Sequence, residues 1–269
     1  MIVAEQDPPE PAALERIAVD LAEGAADVVR QSRDRDVIAA KSSATDLVTE
    51  VDRRTEAWLV AEIGRRRPGD AVLGEEDGSH RGSTAVRWVI DPIDGTVNFV
   101  LGLPQYAVSV AAEIDGVVVA GAVSNPATGE TFHAHRGGGA WLDGQRLTGP
   151  RDVPLSRAVI ATGFSYDATE RARQVAIAGP LLPRIADLRR LGSAALDLCF
   201  VAAGRLDGYF EAGLNRWDYA AGALIAQEAG AIVAGPPDEA PSSRLVVAAG
   251  ASLAGDLLAA LGAAGAARP

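Results

Sequence analysis

Apolar and polar residues alternate with a helical period over residues 11–32, and the pattern closes in the charged run QSRDRD. Residues 46–67 repeat it, with Leu47, Val51, Trp58, Leu59 and Ile63 on one face. Pro68 and Gly69 stop that second helix. From about residue 71 the texture changes. AVLG, VRWVI, YAVSVAAEI and VVVAGAV are strand-like runs, and Asp115-Gly116 marks a hairpin turn. His133 and His135 stand two apart on an expected strand and share one face; with no Cys or third His in support, they are read as surface residues and not as a zinc pair. Gly137-Gly138-Gly139 is read as a turn.

The second half alternates strands with helices. AVIATGF, DGYFEAG and LVVAAG read as strands. Residues 168–182, 193–203, 217–230 and 251–262 read as helices. Turn-rich DGQRLTGPRDVP separates the halves, which predicts an α+β domain over 1–147 and an α/β domain over 148–269. The length of 269 residues and 48% hydrophobic content suffice for such cores.

Charge narrows the function. The net charge is −11, unlike the basic footprint of a nucleic-acid binder. The dense run Arg65-Arg66-Arg67 suits a helix C-terminus. No apolar stretch is long enough to span a membrane, and the N-terminus has no secretory pattern. The single cysteine, Cys199, fits a reducing cytoplasm and is read as a buried small hydrophobe. Trp58, Trp88, Trp141 and Trp217 are read as packing residues. Lys41 is the one lysine beside 24 arginines.

The strongest chemical signal is Trp88-Val89-Ile90-Asp91-Pro92-Ile93-Asp94-Gly95-Thr96. An apolar strand delivers two carboxylates, then turns at Gly95. Gly74-Glu75-Glu76 follows a second short strand. Crowded carboxylates repel, and divalent ions relieve the repulsion. Asp218 precedes a small-residue helix, where an N-cap role also explains it. Ala220, Ala221 and Gly222 leave room for close packing there. Asp52 sits on the second helix, where a surface acid is the simpler reading. Phosphatases of the haloacid-dehalogenase type space their two acids by two residues. The spacing of three here argues for an activated water over an aspartyl nucleophile.

Asp91-Pro-Ile-Asp94-Gly-Thr96, Gly74-Glu75-Glu76 and Trp217-Asp218-Tyr-Ala-Ala-Gly222 together resemble the signatures of the inositol monophosphatase family. The segments from Lys41 to Asp52 and from Arg190 to Asp197 match it too, and the likeness covers roughly residues 15–260. The resemblance implies a layered αβαβα sandwich with its site between two domains. It implies a first Mg2+ on Glu75, Asp91 and the Ile93 carbonyl, and a second on Asp91, Asp94 and Asp218. A weaker third ion would sit near Glu75 and Glu76. Asp52 and Thr96 would orient and deprotonate water, with Glu75 and a mobile Lys41 completing the catalytic set. The Gly95 and Thr96 amides would bind phosphate. Gly192, Ser193, Ala194 and Glu211, with Asp94 and Asp218, would face the polyol. Lithium inhibition and a homodimer are further implications.

Similar proteins act on fructose 1,6-bisphosphate, histidinol phosphate or 3′-phosphoadenosine nucleotides. Glu211 favours a neutral polyol, and no aromatic or basic cradle for a nucleotide is evident. A partner role in RNA synthesis or processing, known for some bacterial relatives, is the alternative of another class.

Overall fold

The computed structural model describes residues 9–32, 37–40, 47–76, 78–236 and 239–266. Among these, the helices are α1 (Pro11–Gln31), α2 (Glu50–Arg66), α3 (Thr96–Leu101), α4 (Ala168–Ala178), α5 (Ala194–Ala202), α6 (Arg216–Glu228) and α7 (Ala251–Ala263). The strands of the first half are β1 (Val37–Ala40), β2 (Leu47–Thr49), β3 (Ala71–Gly74), β4 (Ser79–His80), β5 (Val86–Asp94), β6 (Ala107–Ile114), β7 (Val117–Ser124), β8 (Thr131–His135), β9 (Gly139–Leu142) and β10 (Gln145–Arg146). Those of the second are β11 (Val159–Thr162), β12 (Asp187–Arg189), β13 (Gly208–Glu211), β14 (Ile232–Ala234) and β15 (Val246–Ala249).

β3 to β10 form an eight-stranded sheet in the order β10-β9-β8-β7-β6-β5-β3-β4, and β11 to β15 a five-stranded sheet in the order β12-β11-β13-β15-β14. Four apolar clusters stack the layers. α1 and α2 cover one face of the large sheet through Leu14, Leu21, Leu59 and Trp88. α5 and α6 cover its other face through Leu196, Cys199, Leu224 and Phe132. The opposite sides of α5 and α6 meet the small sheet at Leu198, Ala223 and Tyr209. α7 and α4 close the far side through Leu257, Ile177 and Phe210. The result is the layered αβαβα arrangement. Because β5, β6 and β7 are covered on both faces, they read as near-continuous apolar runs.

Several sequence expectations shift. The second helix begins at Glu50, not 46; Thr49 caps it, and Leu47 lies in β2. α4 ends at Ala178, and a 3-10 turn with Pro183 and the short edge strand β12 follow where a longer helix was expected. His133 and His135 do share a face, but they are half-buried against α1. Each Nδ1 contacts one Glu15 carboxylate oxygen, at 2.8 and 2.5 Å. Cys199 is fully buried, and burial pushes its thiol up.

Candidate active site

The site starts with an irregularity in β5. Asp91 pairs with Ser109 and Asp94 with Ala107, so three steps on β5 match two on β6. In a regular strand, residues three apart point to opposite faces. The extra residue within Asp91-Pro92-Ile93-Asp94 is a β-bulge, and it turns both carboxylates to the same side. Parallel pairing of β3 with β5 sets Gly74 opposite Ile90, which brings Glu75 alongside Asp91. The two carboxyls lie close enough for the charge of Glu75 to raise Asp91.

Asp218 arrives from the other half. It is the third residue of α6, not its cap. Asn215 caps, and its amide donates to Asp218 Oδ2 at 2.6 Å. Two contacts hold this helix end to the large sheet. Arg216 Nε donates to Glu113 Oε1 at 2.6 Å, and Ser109 Oγ donates to the Trp217 carbonyl at 3.2 Å. Gly222 then packs where a Cβ would stand 2.9 Å from Leu198 Cβ, so α5 and α6 sit close, as the small residues suggested. One carboxylate oxygen from each of Asp91, Asp94 and Asp218 lies within 4.8 Å of the others.

Burial, then the charges of Glu75, Asp94 and Asp218, push the Asp91 carboxyl far up. Asp218 is raised by burial and by Asp94 and Glu75. Burial raises Asp94 to about 6, against the lowering effects of Ser193 Oγ and the Ala195 amide, each 2.7 Å from Oδ2. An all-oxygen donor set, with Asp91 buried and Asp94 and Asp218 partly buried, suits a hard divalent cation.

Asp52 is fully buried, not a surface acid. Its Oδ2 closes a capping box with Thr49, and its Oδ1 accepts from Thr96 Oγ1 at 3.0 Å. The same hydroxyl lies 3.1 Å from the Ile93 carbonyl. Having one proton, Thr96 donates to one of them at a time. Gly95 adopts φ +96°, and a Cβ there would stand 2.9 Å from the Gln105 carbonyl, so glycine is required at this turn. The Gly95 and Thr96 amides stand at the start of α3, only six residues long.

A cavity of about 310 Å³ opens beside the acids. Glu75, Asp94, Gly95 and Asp218 border it, together with Gly192, Ser193, Ala194 and Glu211. Burial raises Glu211 to about 7, offset in part by the Tyr209 hydroxyl donating at 2.7 Å. Glu76 stands outside the tight carboxylate group; its amide donates to Glu56 Oε2 at 2.9 Å. Lys41 lies outside the described residues.

Sequence reasoning missed Glu56, a fully buried acid one turn beyond Asp52 that holds the Glu75-Glu76 loop. Its signal was the i, i+4 spacing on α2. It missed Asp197, buried with Oδ1 lacking a partner among the described groups, at the cavity edge. It also found no aromatic or basic cradle. The structure corrects that: Phe164, Tyr166 and Arg190 border the same cavity.

The inositol monophosphatase family model matches residues 10–265. The chain belongs to the inositol monophosphatase family. This member is 46% identical over 275 residues to inositol-1-monophosphatase SuhB of Mycobacterium tuberculosis, covering 94% of each chain. It is 44% identical to Nus factor SuhB of Salmonella typhimurium, over 81% of this chain and 83% of that one. The structure of Mycobacterium tuberculosis SuhB superposes with a TM-score of 0.84 at 44% identity, covering 97% of this chain and all 100% of that one. No described helix is long and apolar enough to cross a membrane.

Proposed function

We propose that this family member hydrolyses the phosphate monoester of a small polyol, inositol monophosphate first, with Mg2+ as cofactor. The observation that carries this reading is the convergence of Asp91, Asp94 and Asp218 within 4.8 Å, beside the Asp52–Thr96 pair. Glu75, Asp91 and the Ile93 carbonyl would hold one ion and Asp91, Asp94 and Asp218 a second, with Glu76 near a weaker third site. Bound there, the cations supply charge neutralisation of the phosphate, acidification of water and stabilisation of the leaving oxygen.

The chain's own groups do the rest. Asp52, fixed by Thr49, accepts the Thr96 proton, and Thr96 Oγ in turn accepts a proton from the attacking water. The Gly95 and Thr96 amides orient phosphate oxygens; α3 is too short to add much field, so their N–H directions matter most. Glu211, held by Tyr209, accepts polyol hydroxyls. Ser193 and the Ala195 amide keep Asp94 facing the cavity. Gly192 and Ala194 leave space for the ring. Lys41 belongs to this set by family likeness. Residues 1–147 and 148–269 serve as the two units that meet at the cavity, and the chain works as a cytoplasmic, lithium-sensitive homodimer.

A substrate panel tests the reading: inositol 1-phosphate, fructose 1,6-bisphosphate, histidinol phosphate and 3′-phosphoadenosine 5′-phosphate, each with Mg2+ and with lithium added. Preferred, lithium-sensitive turnover of inositol 1-phosphate supports it. Preference for another ester keeps the chemistry and replaces the substrate. The relatives named Nus factor favour a second reading, a partner role in transcription. Co-purification of transcription proteins with the tagged chain, together with no turnover of any ester, would support that one.

A further inference from the structure

We propose that the loop joining β11 to α4 is a ring-recognition wall, with Tyr166 and Phe164 selecting a cyclic polyol phosphate over an open-chain one. This rests on the reading of the cavity as a phosphatase site and names the substrate shape that site prefers.

Three observations carry it. First, Phe164 and Tyr166 border the same cavity that Glu75, Asp94 and Asp218 border. Second, the loop starts against Glu211. A Cβ on Gly163 would lie 2.1 Å from Glu211 Oε2, so a side chain at this position would push that carboxylate out of place. The aromatic pair therefore begins one residue beyond the group suited to accept hydroxyls. Third, the loop is held in place. Ser165 N donates to Gln174 Oε1 at 2.6 Å, and Gln174 Nε2 donates to the Ala212 carbonyl at 2.9 Å. Gln174 is buried, so one side chain ties the loop to the segment that follows Glu211. Arg171 Nη1 donates to the Ser165 and Tyr166 carbonyls at 3.0 and 3.3 Å. Phe164 packs against the α7 cluster, which backs the wall from behind.

A cyclic polyol has two kinds of surface. Its rim carries hydroxyls and its faces carry C–H groups. A site with a hydroxyl acceptor beside an aromatic plane matches both at once. An open-chain polyol offers the hydroxyls without a continuous apolar face. A nucleobase would also stack, but it would bring fewer hydroxyls to Glu211 and Asp197.

The test compares kcat/KM for inositol 1-phosphate, glycerol 2-phosphate and 3′-AMP in the Mg2+-loaded full chain and in Tyr166→Ala, Tyr166→Phe and Phe164→Leu. Removing the Tyr166 ring should lower the preference for inositol 1-phosphate over glycerol 2-phosphate about tenfold, through KM, the scale expected for returning one ring face to water. Tyr166→Phe should keep the preference, because the ring remains. An equal fall on all esters, or a loss confined to 3′-AMP, would overturn the proposal. Calorimetric binding of inositol 1-phosphate and glycerol 2-phosphate, with Ca2+ in place of Mg2+, separates the two readings. If the wild-type chain binds the ring ester more tightly and Tyr166→Ala does not, the wall stands even when no ester is turned over. If neither chain discriminates, it fails.

Discussion

Two groups of buried and partly buried acids in this molecule keep different company. Glu113, Asp207 and Asp70 are each held by arginine. Glu113 accepts from Arg87 Nε at 2.8 Å and Arg216 Nε at 2.6 Å. Asp207 takes a two-pronged contact from Arg151, both arms at 2.9 Å, and the Val159 amide. Asp70 takes Arg67, Trp88 Nε1 and Thr84. Asp91, Asp94 and Asp218 form no ion pair with an arginine among the described residues; backbone amides and Ser193 donate to them, Arg190 acts on Asp94 only at a distance, and their nearest charges are one another and Glu75. A buried charge is tolerated when paired. The first group is paired from within the chain, so its role is to fix the fold. The second is left to pair with something that enters from outside.

The largest expected effect comes from neutralising one member of the second group. Asp91→Asn should lower Mg2+-dependent turnover by about three orders of magnitude or more, a loss at the upper end of those seen for single electrostatic groups. Its circular dichroism should be that of the folded wild type. Retained turnover would break the contrast at its centre.

The first group should respond in the opposite sense. Glu113→Ala leaves Arg216 without its carboxylate and frees the α6 end. It should cost about 2–3 kcal/mol in chemical denaturation, below a fully buried pair because Arg87 stays half-exposed. Turnover at saturating Mg2+ should change less than the Mg2+ concentration needed to reach it.

pH sharpens the comparison. Asp94 and Glu211 are raised to about 6 and about 7. A carboxyl raised above its unfolded value binds a proton more tightly in the fold. Its contribution to stability is complete below about pH 4 and is lost as pH rises through its folded pKa. Metal-free protein should therefore lose melting temperature between about pH 4 and pH 7. Added Mg2+, which takes ionised carboxylates, should flatten or reverse that slope. A metal-free melting temperature that rises across the same window would contradict the assignment.

A surface ion pair supplies the smallest effect. Glu62 and Arg65 pair on the surface of α2 at 2.7 Å, and Arg65→Ala should leave the melting temperature unchanged within experimental error.

Much of this was legible from residue patterns. The apolar face of α2, the strand leading to Asp91 and the small residues behind Asp218 carry local signals, and local signals survive in sequence. What was hidden depended on distant chain segments meeting. Asp52 looked like a surface acid because helical spacing does not show that α3 covers it. The spacing of Asp91 and Asp94 was visible, yet its consequence needed the bulge against β6. His133 and His135 looked exposed because Glu15 lies more than a hundred residues away. The aromatic wall stayed hidden because GFSYD has no periodicity and acquires meaning only beside Glu211. The edge strands β12 and β14 are three residues long, too short for alternation to register.

Calorimetric titration of Mg2+ into the purified chain, beside the Asp91→Asn variant, tests the central claim most directly. Saturable binding by the wild type, abolished or greatly weakened in the folded variant, is the predicted result. Equal binding by both chains, or none by the wild type, would contradict it.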